Sequence, residues 1–262
     1  MKKIHTFVVL AYKESEYLEN CIKSVINQTV ESNVVIMTST PNKYIKDLAK
    51  KYNLEIIVNK GEKGMSNDFN FAYNCAKTEL VTLAHQDDFY EKKYAETVLE
   101  NYIKYKDSLI LFTDYYEIRN NKKVESNRLL RIKRVLLFPL KKSLGKYKFN
   151  KRIILRFGNA ICCPAVTFCK KNIPYTDIFS TKFNCSMDWA AWERMSKLKG
   201  RFVFIKKKYV GHRIHVESTT SEILGNDKRN QEDYEIYCKF WPKWFSKIIS
   251  RVYKTSENSN RV

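Results

Sequence analysis

Glycine and proline are scarce in this chain, 7 and 5 among 262 residues, and that scarcity excludes a fibrous or loop-dominated protein. Acids are short too: 28 Asp and Glu stand against 48 Lys and Arg, a formal charge of +20. Such a balance favours anionic partners, whether nucleic acid, acidic lipid headgroups or phosphorylated small molecules. The seven cysteines contain no CxxC pair and no regular spacing. This excludes a disulfide framework and leaves no zinc site, and it reads as the reduced thiols of a cytosolic protein. Cys162 and Cys163 fall in an apolar run and are expected on a strand. No run approaches the roughly 20 apolar residues of a membrane span, so any membrane contact is expected to be peripheral. The opening Met1-Lys2-Lys3 and its apolar sequel resemble a signal peptide only superficially. His5 and Thr6 interrupt the stretch and no small-residue cleavage site follows, so a buried first strand fits better.

Aromatic residues are plentiful, at 14% with 17 Tyr and 15 Phe, enough for a globular chain with a sizeable core. Two periodicities alternate through the first 113 residues. The apolar runs FVVLAY (7–12), NVVIM (33–37), LEIIV (54–58), ELVTLA (79–84) and SLILFT (108–113) suit buried strands. Helical spacing fills 15–28, 42–52, 67–76 and 91–106. This βαβ alternation predicts an α/β fold, a mostly parallel sheet flanked by helices. Ligands of such sheets bind beyond the carboxyl ends of the strands, where Tyr12, Thr38, Gly61 and Asp87 fall.

The alternation fails after about residue 115. Residues 128–156 hold eleven Lys and Arg and no acid, interleaved with LL, VLLF and IIL. ICCPAVTF (161–168) reads as a strand and DWAAWERMSKL (188–198) as a helix. RFVFI (201–205) and YVGHRIH (209–215) read as extended, and an amphipathic helix pair broken by Pro242 is expected over 229–254.

Asp87-Asp88 directly follows a buried strand. Carboxylates there can hold a hard divalent cation against phosphates, and adjacent acids can equally form a solvated turn or a helix N-cap. Asp188 opens its helix either as an N-cap or as a general base for an acceptor hydroxyl. Trp189 and Trp192 suit an acceptor platform or core packing. His5 reads as structural. In an extended HRIH, His212 and His215 point to opposite faces and are not expected to share one metal.

The order of these segments resembles the family-2 glycosyltransferases over roughly residues 5–220. VVLAYKESEYLENCIKSVINQT is similar to the family's opening strand and helix, TLAHQDDFY to its acidic metal segment, SMDWAAWERMSKLKGRFVFI to its acceptor segment, and HRIHVEST to its Arg-Ile-His stretch. The resemblance implies a Rossmann-like GT-A fold and a non-processive, inverting hexosyltransferase-type activity, no Gln-x-x-Arg-Trp being present. It implies that Tyr12, Glu14, Thr38, Asp68, Asn70 and Asp87 line the nucleotide-sugar. Asp87, with Asp88 beside it and His215 as an additional contact, would hold a divalent cation (Mn or Mg). Asp188 would be the base and Trp189 an acceptor contact. The chain departs from the family at Thr38-Ser39-Thr40, where acids are usual, and at His85, where the first acid of the metal segment is common.

The expected organisation is a catalytic domain over 1–220 and a helical extension over 221–262. The domain divides into a nucleotide-sugar half (1–115) and an acceptor half (116–220) that carries the basic insertion. RLLRIKRVLLFPLKK (128–142) and the segment around FWPKWFSKIISRVYK (240–254) interleave cations with bulky apolar residues. Such helices lie in an anionic membrane interface, or pack on the domain with solvated basic faces; no nucleic acid is expected. The reading is a cytoplasmic enzyme, peripheral at the inner face of the plasma membrane. It would pass a sugar to a saccharide or lipid-linked saccharide in polysaccharide or glycolipid synthesis. A nucleotidyltransferase, disfavoured by the absence of glycine from AYKESEY, and a non-catalytic membrane- or nucleic-acid-binding protein on this scaffold are the alternatives.

Overall fold

Continuous apolar runs become the sheet, and amphipathic segments become the helices that cover it. A computed structural model describes residues 3–215 and 227–257. The elements run β1 (His5–Ala11), α1 (Leu18–Ile26), β2 (Asn33–Thr38), α2 (Lys43–Lys51), β3 (Glu55–Val58), α3 (Met65–Cys75), β4 (Leu80–His85), β5 (Phe89–Tyr90), α4 (Tyr94–Lys104), β6 (Ser108–Arg119), β7 (Lys122–Val124), α5 (Arg128–Leu136), α6 (Lys148–Ile153), β8 (Val166–Cys169), α7 (Met187–Ser196), β9 (Arg201–Ile214), α8 (Asp227–Tyr237) and α9 (Lys243–Glu257). All seven residues of β1 are buried, as a central strand covered on both faces requires.

The sheet order is β3-β2-β1-β4-β8-β6-β9-β5, with β7 paired to β6. Strands β1 to β4 are mutually parallel, as the alternation predicted. Beyond them the sheet is mixed. β8 enters antiparallel between β4 and β6, so SLILFT does not pair with the fourth strand but lies one place further out. Its gap is filled by the fully buried VTFC. Cys162 and Cys163 are not strand residues: Pro164, which lacks an amide proton, sits in a 3-10 turn over Cys163–Ala165 just before β8. All seven cysteines, each within the described residues, are free thiols.

RFVFI and YVGHRIH form one strand rather than two. Along the β6–β9 ladder, Thr113 pairs with Ile205 but Asp114 with Lys208, leaving Lys206 and Lys207 bulged out. Such a bulge bends a strand and re-aims its side chains. It carries residues 209–214 against β5, where Phe89 pairs with Gly211. A Cβ at Gly211 would stand 2.7 Å from the Tyr116 ring, so this close approach requires glycine.

Apolar cores fill both faces of the sheet. Helices α8 and α9 share one of them: Ile236 and Tyr237 are fully buried, and Trp241, Ile249 and Tyr253 pack against the same cluster. The basic segment is not a single amphipathic helix. It breaks into α5, a 3-10 stretch over Phe138–Lys146 and α6. Several of its cations turn inward: Lys151 is buried, with its ammonium on the carbonyls of Leu198 and Gly200 at 2.6 and 2.7 Å, and burial lowers its pKa to about 8.

His5 is indeed enclosed by structure. Its ring nitrogens meet Ser32 Oγ at 2.8 Å and Thr82 Oγ1 at 2.9 Å, and burial lowers its pKa from 6.5 to about 3. The unfolded chain therefore binds a proton that the folded chain refuses between these values. Stability is expected to fall with pH through that window by at most about 1.4 kcal/mol per pH unit from this residue. Denaturant unfolding of the wild type and His5→Gln at pH 7 and pH 5 checks this. A variant with the same pH slope as the wild type would remove His5 from the account.

Candidate active site

The acidic pair lies at the carboxyl end of β4, between β4 and β5, and the end of β9 clamps it. Asp88 is buried. Its Oδ1 accepts bonds from His212 Nδ1 at 3.0 Å and from the Arg213 amide at 2.9 Å. His215 Nε2 lies 3.1 Å from Asp87 Oδ2, and the Arg213 guanidinium donates to the Asp87 carbonyl at 3.1 Å. Tyr17 completes the clamp, with Arg213 over its ring at 4.2 Å and His215 beside it at 5.1 Å. The two histidines of HRIH thus serve one acidic pair. Strict alternation misleads here because β9 stops at Ile214, which frees His215 from the strand's period. Residues 216–219 of HRIHVEST lie outside the described residues.

Burial opposes charge on Asp87, but the His215 bond and the field of His85 and His212 prevail, and its pKa is lowered. Burial likewise works against protonation of His212, yet Asp88 and Asp87 outweigh it and raise its pKa. At His85 burial wins, and its pKa falls below the usual value. A neutral imidazole is therefore present there near pH 7, the form that binds metals.

These groups fit a divalent cation. Single donor atoms of His85, Asp87 and Asp88 lie within 4.8 Å of one another. Asp88 Oδ2 and His85 Nε2 are buried without a hydrogen-bond partner, and a buried orphan oxygen of this kind is costly unless something occupies it. Carboxylate oxygens with one imidazole suit manganese, and magnesium less well.

A cleft of about 200 Å³ opens beside the pair, lined among others by His85, Tyr115, Lys133, Asn159, Asp188 and His212. Asp188 sits in the first turn of α7, whose N-cap is Ser186. One carboxylate oxygen accepts the Trp189 amide at 2.7 Å and the other the Asn159 side-chain amide at 2.6 Å. It therefore satisfies a free helix amide and faces the cleft at once. Burial raises its pKa, against the opposing pull of those two bonds and of Arg229 and Lys133. Two other acids line the cleft, Glu117 and Asp233. Glu117 is tied to Arg119 and Asn127, both at 2.8 Å, and Asp233 to Ser186 at 2.5 Å.

The remaining expected residues divide. Tyr12 is 51% exposed just beyond β1, with its backbone held at both polar atoms by the Gln86 amide, at 2.8 and 3.1 Å. Glu14 is exposed on the same loop. Thr38 is buried at the end of β2, where its hydroxyl accepts the Thr40 amide at 3.0 Å. Asp68 reaches this strand end from α3: Ser39 Oγ donates to it at 2.8 Å and Asn59 Nδ2 at 2.7 Å. The carboxylate missing from Thr38-Ser39-Thr40 is thus present in space, delivered by another element. Asn70 does not join this group. Both ends of its amide are bound to the Phe179 backbone, at 2.7 and 2.8 Å, so it pins the 177–183 loop instead. Trp189 is only 1% exposed, its indole bonded to the Leu155 carbonyl and its ring edge-on to Tyr237 at 4.9 Å. It forms the cleft's wall and offers no open acceptor platform.

Three participants were not singled out in the sequence. Lys133, on the basic segment, turns into the cleft and donates to Tyr115 Oη at 2.9 Å. Asn159 orients Asp188, and the gap of 29 residues between them carries no local signal. Glu232 of α8 accepts the amides of Asn184, Cys185 and Ser186 at 2.8 to 3.0 Å. It thereby caps α7 from outside, an acid at a helix's positive end. A fourth, Arg213, lies in HRIH, where two histidines and an arginine at a strand end could have pointed to it.

The sequence model described as glycosyl transferase family 2 matches residues 6–173. An uncharacterized glycosyltransferase of Haemophilus influenzae is 26% identical over 117 residues, 42% of this chain and 36% of that protein. The glycosyltransferase GlyA of Streptococcus pneumoniae is 22% identical over 121 residues, 44% of this chain but 17% of its own length. The chain thus matches about a third of the first relative's length and less than a fifth of the second's. Among solved structures, S. aureus TarS in complex with UDP-GlcNAc superposes with a TM-score of 0.65 at 18% identity, covering 94% of this chain and 73% of that one. A Pyrobaculum calidifontis mannosyltransferase, in complex with GDP-Man and Mn2+, gives 0.63 at 11% identity, covering 97% and 70%. These likenesses establish the shared fold, a mixed sheet with flanking helices.

Proposed function

The chain belongs to glycosyl transferase family 2, and on that premise we propose that it transfers a sugar from a nucleotide-diphosphate-sugar to a saccharide hydroxyl with inversion. The observation that carries this reading is the cleft itself. Its walls include His85 and His212, which contact the clamped acidic pair, and Asp188, a carboxylate whose pKa burial raises.

In this reading Tyr12, Glu14, Thr38 and Asp68 line the nucleotide-sugar at the ends of β1 and β2, in the crevice where such sheets bind ligands. Asp87, with Asp88 and His85, would hold the divalent cation, and His215 orients Asp87. When bound, manganese or magnesium supplies a Lewis acid that neutralises charge on the leaving diphosphate. Asp188 removes the proton of the acceptor hydroxyl as that oxygen attacks the anomeric carbon. The bond from that carbon to the diphosphate oxygen breaks on the opposite face, and the proton stays on Asp188. A single displacement inverts the centre. Lys133 adds positive charge to the cleft where the anionic groups gather.

The acceptor is a saccharide carried on a lipid, for polysaccharide or glycolipid synthesis at the inner face of the plasma membrane. Support comes from the basic, apolar-bearing surface of the 128–156 segment and α9. No helix among the described residues is long and apolar enough to cross a membrane.

A thermal-shift series with UDP, GDP, dTDP and CDP, each with and without manganese, tests the donor site. A ligand that binds only the folded state stabilises it by about 2.7 kcal/mol at a hundred times its Kd. One nucleotide is expected to raise the melting temperature, more so with metal. No shift with any of them at saturating concentration would leave the non-catalytic scaffold as the better reading.

A further inference from the structure

Helix α9 has two faces with different chemistry. On its outer side Trp244, Ile248 and Val252 are 68%, 51% and 66% exposed, and their four-residue spacing sets them in one row. Lys243, Lys247 and Arg251, all exposed, form a second row one residue ahead. No acid occurs between Lys243 and Ser256. Single exposed apolar residues are ordinary, but contiguous ones mark a contact surface, and this row is contiguous with others. Trp244 meets Phe245 at 5.4 Å, Phe245 meets Trp241 at 4.9 Å, and Trp241 meets the half-exposed Phe157 at 5.5 Å. The Arg156 guanidinium bridges Trp241 to Phe149, itself 63% exposed.

The inner side of α9 faces the cleft. The Tyr253 ring packs on Trp189 at 5.7 Å and lines the cleft with Asp188. Its hydroxyl accepts the Asn159 amide at 3.4 Å, and the Asn159 side chain holds Asp188. Thus Val252 points outward while the next residue braces the support of the proposed base.

We propose that α9 is an interfacial helix that lies flat on an anionic bilayer, setting the acceptor cleft at the membrane surface. Charge complementarity selects this occupant. Rows of cations beside rows of Trp, Ile and Val match anionic headgroups above an acyl boundary. A nucleic-acid surface would instead present cations with stacking rings, and Ile248 and Val252 would be idle there. The inference rests on the reading of the Asp188 cleft as the acceptor site, and it specifies how that site meets a lipid-carried acceptor.

Co-sedimentation of the full chain with phosphatidylcholine vesicles, with and without phosphatidylglycerol, tests it. Binding is expected only with phosphatidylglycerol, weakened at least tenfold in Trp244→Glu/Ile248→Glu, and released by salt. In Lys243→Ser/Lys247→Ser/Arg251→Ser the preference for the anionic vesicles should vanish. The nucleotide-dependent thermal shift is expected to persist in both variants, showing that they fold. A wild type that ignores anionic vesicles, or a Trp244→Glu/Ile248→Glu variant that binds them equally well, overturns the proposal. So does salt-sensitive binding of single-stranded RNA in place of vesicles. In each of these cases a retained nucleotide shift leaves the transferase reading standing, whereas vesicle binding without any nucleotide shift would sink that reading and leave α9 a membrane-binding helix with no acceptor cleft to position.

Discussion

Asp188→Asn is expected to reduce sugar transfer by roughly 10²- to 10⁴-fold, the span attributed to a positioned general base, while nucleotide-dependent stabilisation stays near the wild-type value. The carboxamide keeps the size of the side chain, and its oxygen can still accept the Trp189 amide, so the first turn of α7 should persist. What it loses is the ability to take a proton. The same residue sets a pH signature. Burial raises the Asp188 pKa, so below that pKa the carboxyl is protonated and cannot act. The wild-type rate should therefore decline on the acid side at a pH above the ordinary carboxylate range, and the residual rate of the variant should lack that limb. Steady-state kinetics across pH with the nucleotide found by thermal shift would check both. Near-normal turnover in Asp188→Asn would take the base role from this residue.

The second large effect is expected at the acidic pair, where two neighbouring residues should fail differently. Asp87→Ala removes a partly exposed carboxylate that His215 contacts at 3.1 Å. Its fold should be retained, the metal enhancement of nucleotide stabilisation should disappear, and turnover should fall at least roughly a hundredfold. That corresponds to several kcal/mol of charge stabilisation at about 1.4 kcal/mol per decade. Asp88→Ala instead leaves His212 and the Arg213 amide without their shared acceptor. Unpaired buried donors cost about 1–3 kcal/mol each, so this variant should melt at a lower temperature even without nucleotide or metal. Melting curves with and without manganese separate the two. Equal metal enhancement in Asp87→Ala and wild type would exclude Asp87 as a ligand.

Much of the fold was legible because burial writes itself into local pattern. FVVLAY and ELVTLA are continuous apolar runs, and a strand buried on both faces needs nothing else. Asp87-Asp88 was legible for the same reason, as the first acids after such a run. What could not be read is pairing across long separations. VTFC carries no mark that says it pairs antiparallel between β4 and β6. Lys133 sits among cations of both kinds, from the exposed Arg128 and Lys146 to the buried Lys151, and nothing in the local pattern says which of them turn inward. The resemblance pointed to Asn70 and Trp189 as binding residues, yet the amide of one is bound to Phe179 and the ring of the other is enclosed by Tyr237 and Tyr253. Spacing gives the face of an element, but the partner waiting on that face comes from a hundred residues away.

The contact between Ser39 and Asp68 has an evolutionary consequence. The Ser39 hydroxyl donates to Asp68 at 2.8 Å, so an acid at position 39 would set two carboxylates against each other at a distance where both cannot ionise. An acid at position 39 would therefore raise the pKa of one carboxyl of the pair. Ser39 and Asp68 are expected to be inherited as a pair, their effects strongly non-additive.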